Sequence, residues 1–212
     1  MSVGAVLFSL VLALAAVVAW ILAGSLRAQA RLHVRFSAAL YLALAIAGLV
    51  PESGEVTGEF ARAVAFVVCV LAPSMLALAL VGLFAKRPPS ALLAGLFLPL
   101  ACLGGIAAAA TDATAFGFVP LALASGAALV FSLRGLRKFG VAAGQGAAAS
   151  VAFLCAASSL MATGESARAA LDLFSATGLL GAVLALLRGS NPPVEKKRAK
   201  PLSRVLAVGE RR

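Results

Sequence analysis

The seven residues Thr57–Ala63 read TGEFARA, and Thr163–Ala169 read TGESARA, with one position changed. The tripeptide SLR precedes each copy, at Ser25–Arg27 and again 107 residues later. The Gly-Glu pairs are 106 residues apart, and a basic residue closely followed by Pro-Pro comes after each. A basic loop, an acidic segment and a Pro-Pro pair therefore recur in the same order and at nearly the same spacing. We call the acidic segment, Thr57–Ala63 and Thr163–Ala169, the hinge. The pattern predicts two copies of one structural unit.

The composition indicates that lipid is the main solvent of this chain. Hydrophobic residues make up 62% of the sequence and charged residues 12%, whereas soluble domains carry about 25% charged residues. A spanning helix needs roughly 20 apolar residues, and backbone groups in hydrocarbon must be satisfied within their own segment. We therefore predict an all-α polytopic membrane protein with seven transmembrane helices. The seven apolar runs are Val3–Gly24, Phe36–Val50, Ala63–Ala85, Ala91–Ala110, Phe116–Leu133, Val141–Met161 and Ala170–Leu187.

The first two runs differ from the others in features that affect their assignment as spans. The second is short, so we expect its helix to begin near Leu32, with Arg31 and Arg35 reaching toward lipid head groups. A cleaved signal peptide is the rival interpretation of the first run, since Ala-Gln-Ala occurs at Ala28–Ala30. However, no basic residue precedes that run, and it exceeds the roughly 7–15 apolar residues of a signal peptide. The repeat also favours a structural span.

The positions of the two hinge copies divide the seven runs into two units and one linking run. Runs one to three and five to seven form the two units, and because three is odd, the fourth run must cross the membrane to restore their orientation. The result is a parallel 3+1+3 internal repeat. The predicted membrane domain covers residues 1–187, with repeat 1 at about 1–89, the linker helix at 91–110 and repeat 2 at about 116–193. Residues 188–212 form a basic cytoplasmic tail.

The charged residues predict the orientation. Of the 18 basic residues, only Arg62 and Arg168 fall on the face that the amino terminus shares. The positive-inside rule places that face outside and the carboxyl tail in the cytoplasm of a bacterial inner membrane. The expected partners are the lipid bilayer and anionic lipids at the cytoplasmic face, and the basic face also leaves room for a protein partner. Nucleic acid is excluded, because the basic residues are not interleaved with aromatics on a soluble fold.

The hinge has two interpretations. In the first, Thr57 and Thr163 act as N-caps, each Glu lies in the first helical turn, and each Arg follows three residues later on the same face. In the second, the charged hinge residues line an outer vestibule. The four residues concerned are Glu59, Arg62, Glu165 and Arg168.

Residues suited to chemistry are scarce. Asp172, at the outer edge of the last run, is the one residue among Asp, Glu, Lys, Arg and His that enters a run, and this scarcity argues against proton-coupled pumping. The single histidine, His33, cannot supply a metal site. Phosphate-loop, GxSxG and HExxH motifs are absent, so we expect no enzyme activity, no cofactor and no metal. The cysteines fall inside runs, as small apolar residues without a metal-type spacing; they are Cys69, Cys102 and Cys155.

Three polar residues are candidates for an intramembrane site: Gln145, Ser74 and Ser150. Gln145 lies beside Gly140, Gly144 and Ala148, whose four-residue spacing predicts a closely packed helix face. Its amide either bonds a neighbouring helix or contacts a ligand. Ser74 follows Pro73, which frees a backbone carbonyl for such bonds.

The 3+1+3 plan resembles microbial rhodopsins and SWEET-type sugar carriers. The chain lacks the retinal lysine in Ala170–Leu187 and the Pro-Gln signature of the carriers. The stretch Ser25–Leu49, SLRAQARLHVRFSAALYLALAIAGL, resembles the first cytoplasmic turn of seven-helix sensor regions in bacterial membrane signalling proteins. That resemblance implies a receptor-like membrane module, here without an attached effector.

These observations favour a non-enzymatic, receptor-like or adaptor module of the inner membrane whose basic cytoplasmic face meets a partner. One alternative is a small-solute transporter built from two three-helix bundles. Another is a structural subunit of a membrane complex. The sequence leaves the ligand, the partner and the oligomeric state open.

Overall fold

The computed structural model describes residues 3–49, 55–85, 115–160 and 165–190, and single positions at 99, 103, 106 and 107. Over these residues the fold is all-helical, and six helices are long and apolar enough to cross a membrane. They are α1 (Val3–Leu22), α2 (Ala28–Leu49), α3 (Glu55–Ala85), α4 (Ala115–Phe139), α5 (Val141–Leu160) and α6 (Glu165–Ser190). The predicted linker helix, 91–110, and the tail after residue 190 lie outside the described residues, apart from the four single positions, which are helical.

Four of the six described helices, α2, α3, α4 and α6, extend beyond their apolar runs. Helices α2 and α3 each begin eight residues before their run, and α4 continues to Phe139. The difference arises because hydropathy marks the part of a helix in hydrocarbon, while the helix itself continues into the interface. Thr57 is consequently the third residue of α3 and not its N-cap, which corrects the first interpretation of the hinge. Thr163 lies outside the described residues.

Arg31 and Arg35, which were predicted to reach toward lipid head groups, instead make contacts at the turn between α1 and α2. A 3-10 turn, Ala23–Ser25, precedes α2, and the Arg31 guanidinium donates to the Leu26 carbonyl at 2.9 Å. The Arg35 guanidinium lies 5.4 Å from the centre of the Trp20 ring, a cation–π distance. Helix α2 begins at Ala28, before both arginines. Arg31 stabilises the turn, and Arg35 stabilises the contact between α1 and α2.

Close contacts give the relative directions of the helices. A Cβ built at Gly135 would lie 3.2 Å from Phe84, and one at Gly189 would lie 2.5 Å from Leu83, so α3, α4 and α6 meet at their carboxyl ends. Helix α1 meets α6 near their amino ends, through Ser9. Helices α1, α3, α4 and α6 are therefore parallel. We call the side where they begin the start face and the other side the end face.

The six described helices pack as a closed ring in chain order, with α6 returning to α1. Helices α3 and α6 also contact each other across the middle, α2 touches α6, and α3 touches α5. The core consequently lies around α3 and α6.

The outer surface of α1 has the character of a lipid-facing helix. Its large apolar residues Leu7, Leu14 and Ile21 are 57%, 66% and 69% exposed, and their seven-residue spacing places them on one stripe. Small residues such as Ala15 and Ala19 are buried on the opposite side. Large apolar side chains outside and small ones at helix contacts are typical of membrane helices. Together with the six candidate spans, they are consistent with a multi-pass membrane protein.

The predicted small-residue face of α5 is wrong. A Cβ at Gly144 would meet nothing within 4 Å, Ala148 is exposed, and Gly140 forms the α4–α5 turn with a φ of 52°. The packed glycine is Gly146, where a Cβ would lie 2.7 Å from Phe84. The register of α5 follows from this contact and not from the four-residue spacing.

Candidate functional site

Among the side chains that the structure describes, Asp172 is the buried acid. The sequence places it at the outer edge of an apolar run, but α6 begins at Glu165, so Asp172 is its eighth residue. At 1.5 Å per residue it lies roughly 10 Å along the helix axis from the first residue. Its side chain is 4% exposed. Asp172 is therefore an interior residue of the helical bundle, which corrects its predicted position at the outer edge of a run and removes the ground for the prediction against proton-coupled pumping.

The partner of Asp172 is Ser9, on the first helix. The Ser9 hydroxyl donates to Oδ2 of Asp172 at 2.9 Å, and the bond is buried. Ser9 is the one hydroxyl residue among the 20 residues of α1. This bond joins α1 to α6, and its two residues are 163 positions apart in the chain.

Three further residues extend this site toward α2 and α3. The Tyr41 hydroxyl of α2 is hydrogen-bonded to Ser175 of α6, and Cys69 of α3 lies near enough for an electrostatic interaction with Tyr41. Cys69 has the same relation to Asp172. All five side chains are at least nine-tenths buried. We call this group the acid cluster; its members are Ser9, Tyr41, Cys69, Asp172 and Ser175.

A proline adds backbone polarity next to the acid cluster. Pro73 has no N–H, so the carbonyl of Cys69, four residues earlier, lacks its helical donor. One residue before the proline, the Ala72 carbonyl accepts a bond from the Ser37 hydroxyl of α2 at 2.8 Å. Ser37 thereby ties α2 to α3 next to the proline.

Few charges surround the carboxyl group of Asp172. Arg168, one turn toward the start face, interacts with it electrostatically, but the Arg168 side chain is exposed. Helices α1 and α5 contain no Asp, Glu, Lys, Arg or His. Apart from Arg168, the described polar groups that interact with the carboxyl group are therefore the Ser9 hydroxyl and the Cys69 thiol. An ionisable group in such a setting marks a binding or proton-transfer site by default.

The three sequence-predicted polar candidates do not belong to the acid cluster. Ser150 donates to the Gly146 carbonyl of its own helix at 2.8 Å. Ser74 is fully buried, and its hydroxyl has no partner among the described residues. The Oε1 atom of Gln145 is also buried without a partner in that part of the chain. Among the described residues, no hydrogen bond joins the three, so the structure does not assemble them into one site.

The vestibule candidates lie near the amino ends of α3 and α6. Arg168 is exposed, while the side chains of Glu59, Arg62 and Glu165 lie outside what the structure describes. Their pairing remains a prediction. Among the described residues, no three His, Cys, Asp or Glu side chains come together as a metal site. Cys69 and Cys155 are free thiols, and Cys102 lies outside the described residues.

Sequence reasoning missed Ser9, Tyr41 and Ser175. A signal was available for the first two, since Ser9 is the one hydroxyl residue of α1 and Tyr41 is the only tyrosine of the chain. Ser9 and Asp172 also lie at similar distances from the amino ends of their helices, which matters once these helices are known to be parallel. Comparison with protein-family models, curated proteins and solved structures found no match.

Proposed function

We propose that this protein is a non-enzymatic carrier for a small solute, built from two parallel three-helix units and a linker span, with the acid cluster as its polar site. The observation that carries the proposal is the buried carboxyl group of Asp172 at the interface between helices of different units. A purely structural bundle gains little from a buried acid, because a polar group in hydrocarbon costs free energy unless it is paired.

The packing partners support the repeat. Exchanging α1, α2 and α3 for α4, α5 and α6 turns the α1–α2 contact into α4–α5 and the α3–α4 contact into α6–α1. The exchange converts the α3–α6 pair into itself and each other contacting helix pair into another contacting pair. A twofold axis parallel to α3 and α6 would relate the two units.

Two pairs of equivalent residues support the position of that axis. The hinge copies define an offset of 106 residues, which relates Leu83 to Gly189 and Cys69 to Ser175. Leu83 and Gly189 are in contact, and Tyr41 interacts with both Cys69 and Ser175. Equivalent residues approach each other only near a twofold axis, so the axis would pass between α3 and α6.

The parallel direction of α3 and α4 supports a seventh span. Helix α3 ends at the end face with Ala85, and α4 begins at the start face with Ala115. If both helices cross the membrane, the chain between them has to return across it. The apolar run Ala91–Ala110 has a suitable length of 20 residues.

The distribution of charge supports the orientation. At the end face the described basic residues are Arg27, Arg31, Arg35, Arg134, Arg137, Lys138 and Arg188, whereas Arg168 is the one described basic side chain near the start face. The positive-inside rule then assigns the end face to the cytoplasm of a bacterial inner membrane.

A carrier needs a polar site that is reached alternately from the two sides. Along α3 and α6, the start-face half contains the acid cluster, and the end-face half is filled by the Leu83–Gly189 contact. This division corresponds to a carrier that is closed toward the end face, with its site occluded.

Labelling of Cys69 tests this proposal. In a variant that retains Cys69 alone (Cys102→Ala, Cys155→Ala), a membrane-impermeant maleimide is applied to right-side-out and to inverted vesicles. A carrier predicts labelling of Cys69 in both preparations. The matched control is Leu173→Cys in a cysteine-free background, because Leu173 is 42% exposed on the outside of α6 and should react in neither preparation. Labelling of Cys69 from one side only, or from neither, would contradict alternating access.

A second candidate is a receptor-like or adaptor module, as the resemblance to seven-helix sensor regions implies. The basic end face favours it, since such a face can bind an acidic partner. In this case the acid cluster would bind a ligand without being exposed in turn to both sides. The labelling experiment separates the two functions, because a receptor predicts accessibility of Cys69 from the start face at most.

A further inference from the structure

We propose that Asp172 is a proton-binding site whose protonation loosens the α1–α6 interface, so that a proton is the coupling ion of the carrier. The proton site is argued from the acid cluster itself, and the coupling rests on the proposed function.

The surroundings of Asp172 leave its negative charge without a buried partner of opposite sign among the described residues. On its own helix the nearest charge is Arg168, which is exposed. From α3, Cys69 interacts with it electrostatically, and Cys69 has the same relation to Tyr41 of α2. Helix α1 contributes only the Ser9 hydroxyl, and the titratable side chain of α5 is Cys155. An isolated buried carboxylate is costly, and taking up a proton removes that cost.

The ligands present favour a proton over a metal cation. A hard metal cation needs about six oxygen ligands arranged around it, whereas a proton needs one lone pair of the carboxylate. The Ser9 hydroxyl points its hydrogen at Oδ2, which suits an anion and not a bound cation at that atom. In the described part of the chain, no three His, Cys, Asp or Glu side chains lie close enough together to hold a metal ion.

The position of the bond suggests how protonation would be coupled to movement. Ser9 and Asp172 lie in different three-helix units, so their hydrogen bond crosses the boundary between the units. A hydrogen bond to an ionised carboxylate is roughly twice as strong as one between neutral groups. Protonation of Asp172 therefore weakens the link between α1 and α6. In the ionised state the link holds the two units together.

Infrared difference spectroscopy of the full chain in nanodiscs tests proton binding directly. On lowering the pH, wild type should gain the carbonyl band of a protonated carboxyl group, and Asp172→Asn should lose it. Asn keeps the shape of the side chain and an oxygen that accepts from Ser9. Glu165→Gln, in the first turn of the same helix, is the control and should retain the band. A band that persists in Asp172→Asn, or one that responds to sodium at constant pH, would overturn the proton site.

The coupling has its own measurement. With Cys69 as the one remaining cysteine, Asp172→Asn should shift the ratio of labelling between right-side-out and inverted vesicles, since the weakened link favours one arrangement. An unchanged ratio would refute the coupling. The two experiments test the proton site and the carrier independently. If the band is lost in Asp172→Asn but Cys69 is labelled from one side only, the protein binds a proton as a receptor, and the carrier proposal is contradicted.

Discussion

The α1–α6 interface and the α3–α4 interface occupy equivalent positions under the proposed repeat, yet they contain different chemistry. At α1–α6, near the start face, Ser9 donates to the buried Asp172. At α3–α4, near the end face, the ring of Phe84 lies against Gly135 and also reaches Gly146 of α5. One interface is joined by a single polar bond and the other by aromatic packing onto glycines.

This difference separates the fold from the site. Packing of large side chains onto small ones is sufficient to associate helices in lipid, and Phe84 with its glycines fulfils that role. The residue equivalent to Asp172, 106 positions earlier, is Phe66, so the first unit has no acid at the corresponding place. Under the proposed repeat, the acid is therefore specific to the second unit, and packing of the helices alone does not require it.

The largest expected effect concerns topology, because the comparison of the two interfaces requires α1, α3, α4 and α6 to cross in the same direction. Reporter fusions after Val50, Ala110 and Met161 should be active outside, and fusions after Arg87, Arg137 and Lys200 inside. The reason is the strong excess of basic residues at the end face. Alkaline phosphatase and a fluorescent protein, which are active on opposite sides, make each fusion its own control.

Two outcomes would break the comparison. If the fusion after Arg87 and the fusion after Ala110 reported the same side, residues 91–110 would not cross, and α3 and α4 could not both span in parallel. If the fusion after Val50 reported the cytoplasm, the orientation of the whole domain would be reversed.

The second prediction concerns the aromatic interface. Gly146→Val should lower the free energy of unfolding by about 1–3 kcal/mol, the usual cost of overpacking, because a Cβ there would lie 2.7 Å from Phe84. The control is Gly144→Val, two residues away on α5, where a Cβ meets nothing within 4 Å. Both variants gain similar helix propensity, so their difference isolates the packing term. Thermal unfolding in detergent measures it, and equal stability of the two variants would show that Phe84 does not fill this position.

Much of the fold could be predicted from the sequence, because lipid imposes a simple rule on apolar runs. Six of the seven runs correspond to described helices. The helix starts were predicted less well, as at Ala28 and Glu55, because interfacial residues are polar but still helical. Helix faces were harder still: the face of Gly140, Gly144 and Ala148 was wrong, since the register of a helix is set by its neighbours and not by its own spacing.

The site could be predicted only in part. Asp172 is visible in the sequence as an acid next to an apolar run, but its burial depends on where α6 begins. Its bond to Ser9 joins residues 163 positions apart, and no local pattern indicates such a pair. Gln145 attracted attention because it is the most polar residue of its run. The structure instead builds its polar group from hydroxyls, which are less conspicuous in a sequence.

The smallest expected effect compares one hydroxyl from each interface. At low pH, where Asp172 is protonated, Ser9→Ala removes a bond between neutral groups and should cost about 1 kcal/mol, the usual net value of such a bond. The Ser132 hydroxyl would lie 2.8 Å from a Cβ at Gly146, close to Phe84, and has no partner among the described residues. Ser132→Ala should therefore be neutral or slightly stabilising, because an unpaired buried hydroxyl contributes nothing favourable. Unfolding of both variants in the same detergent provides the measurement. A larger loss for Ser132→Ala than for Ser9→Ala would mean that the aromatic interface also contains an essential polar bond, and the contrast between the two interfaces would then disappear.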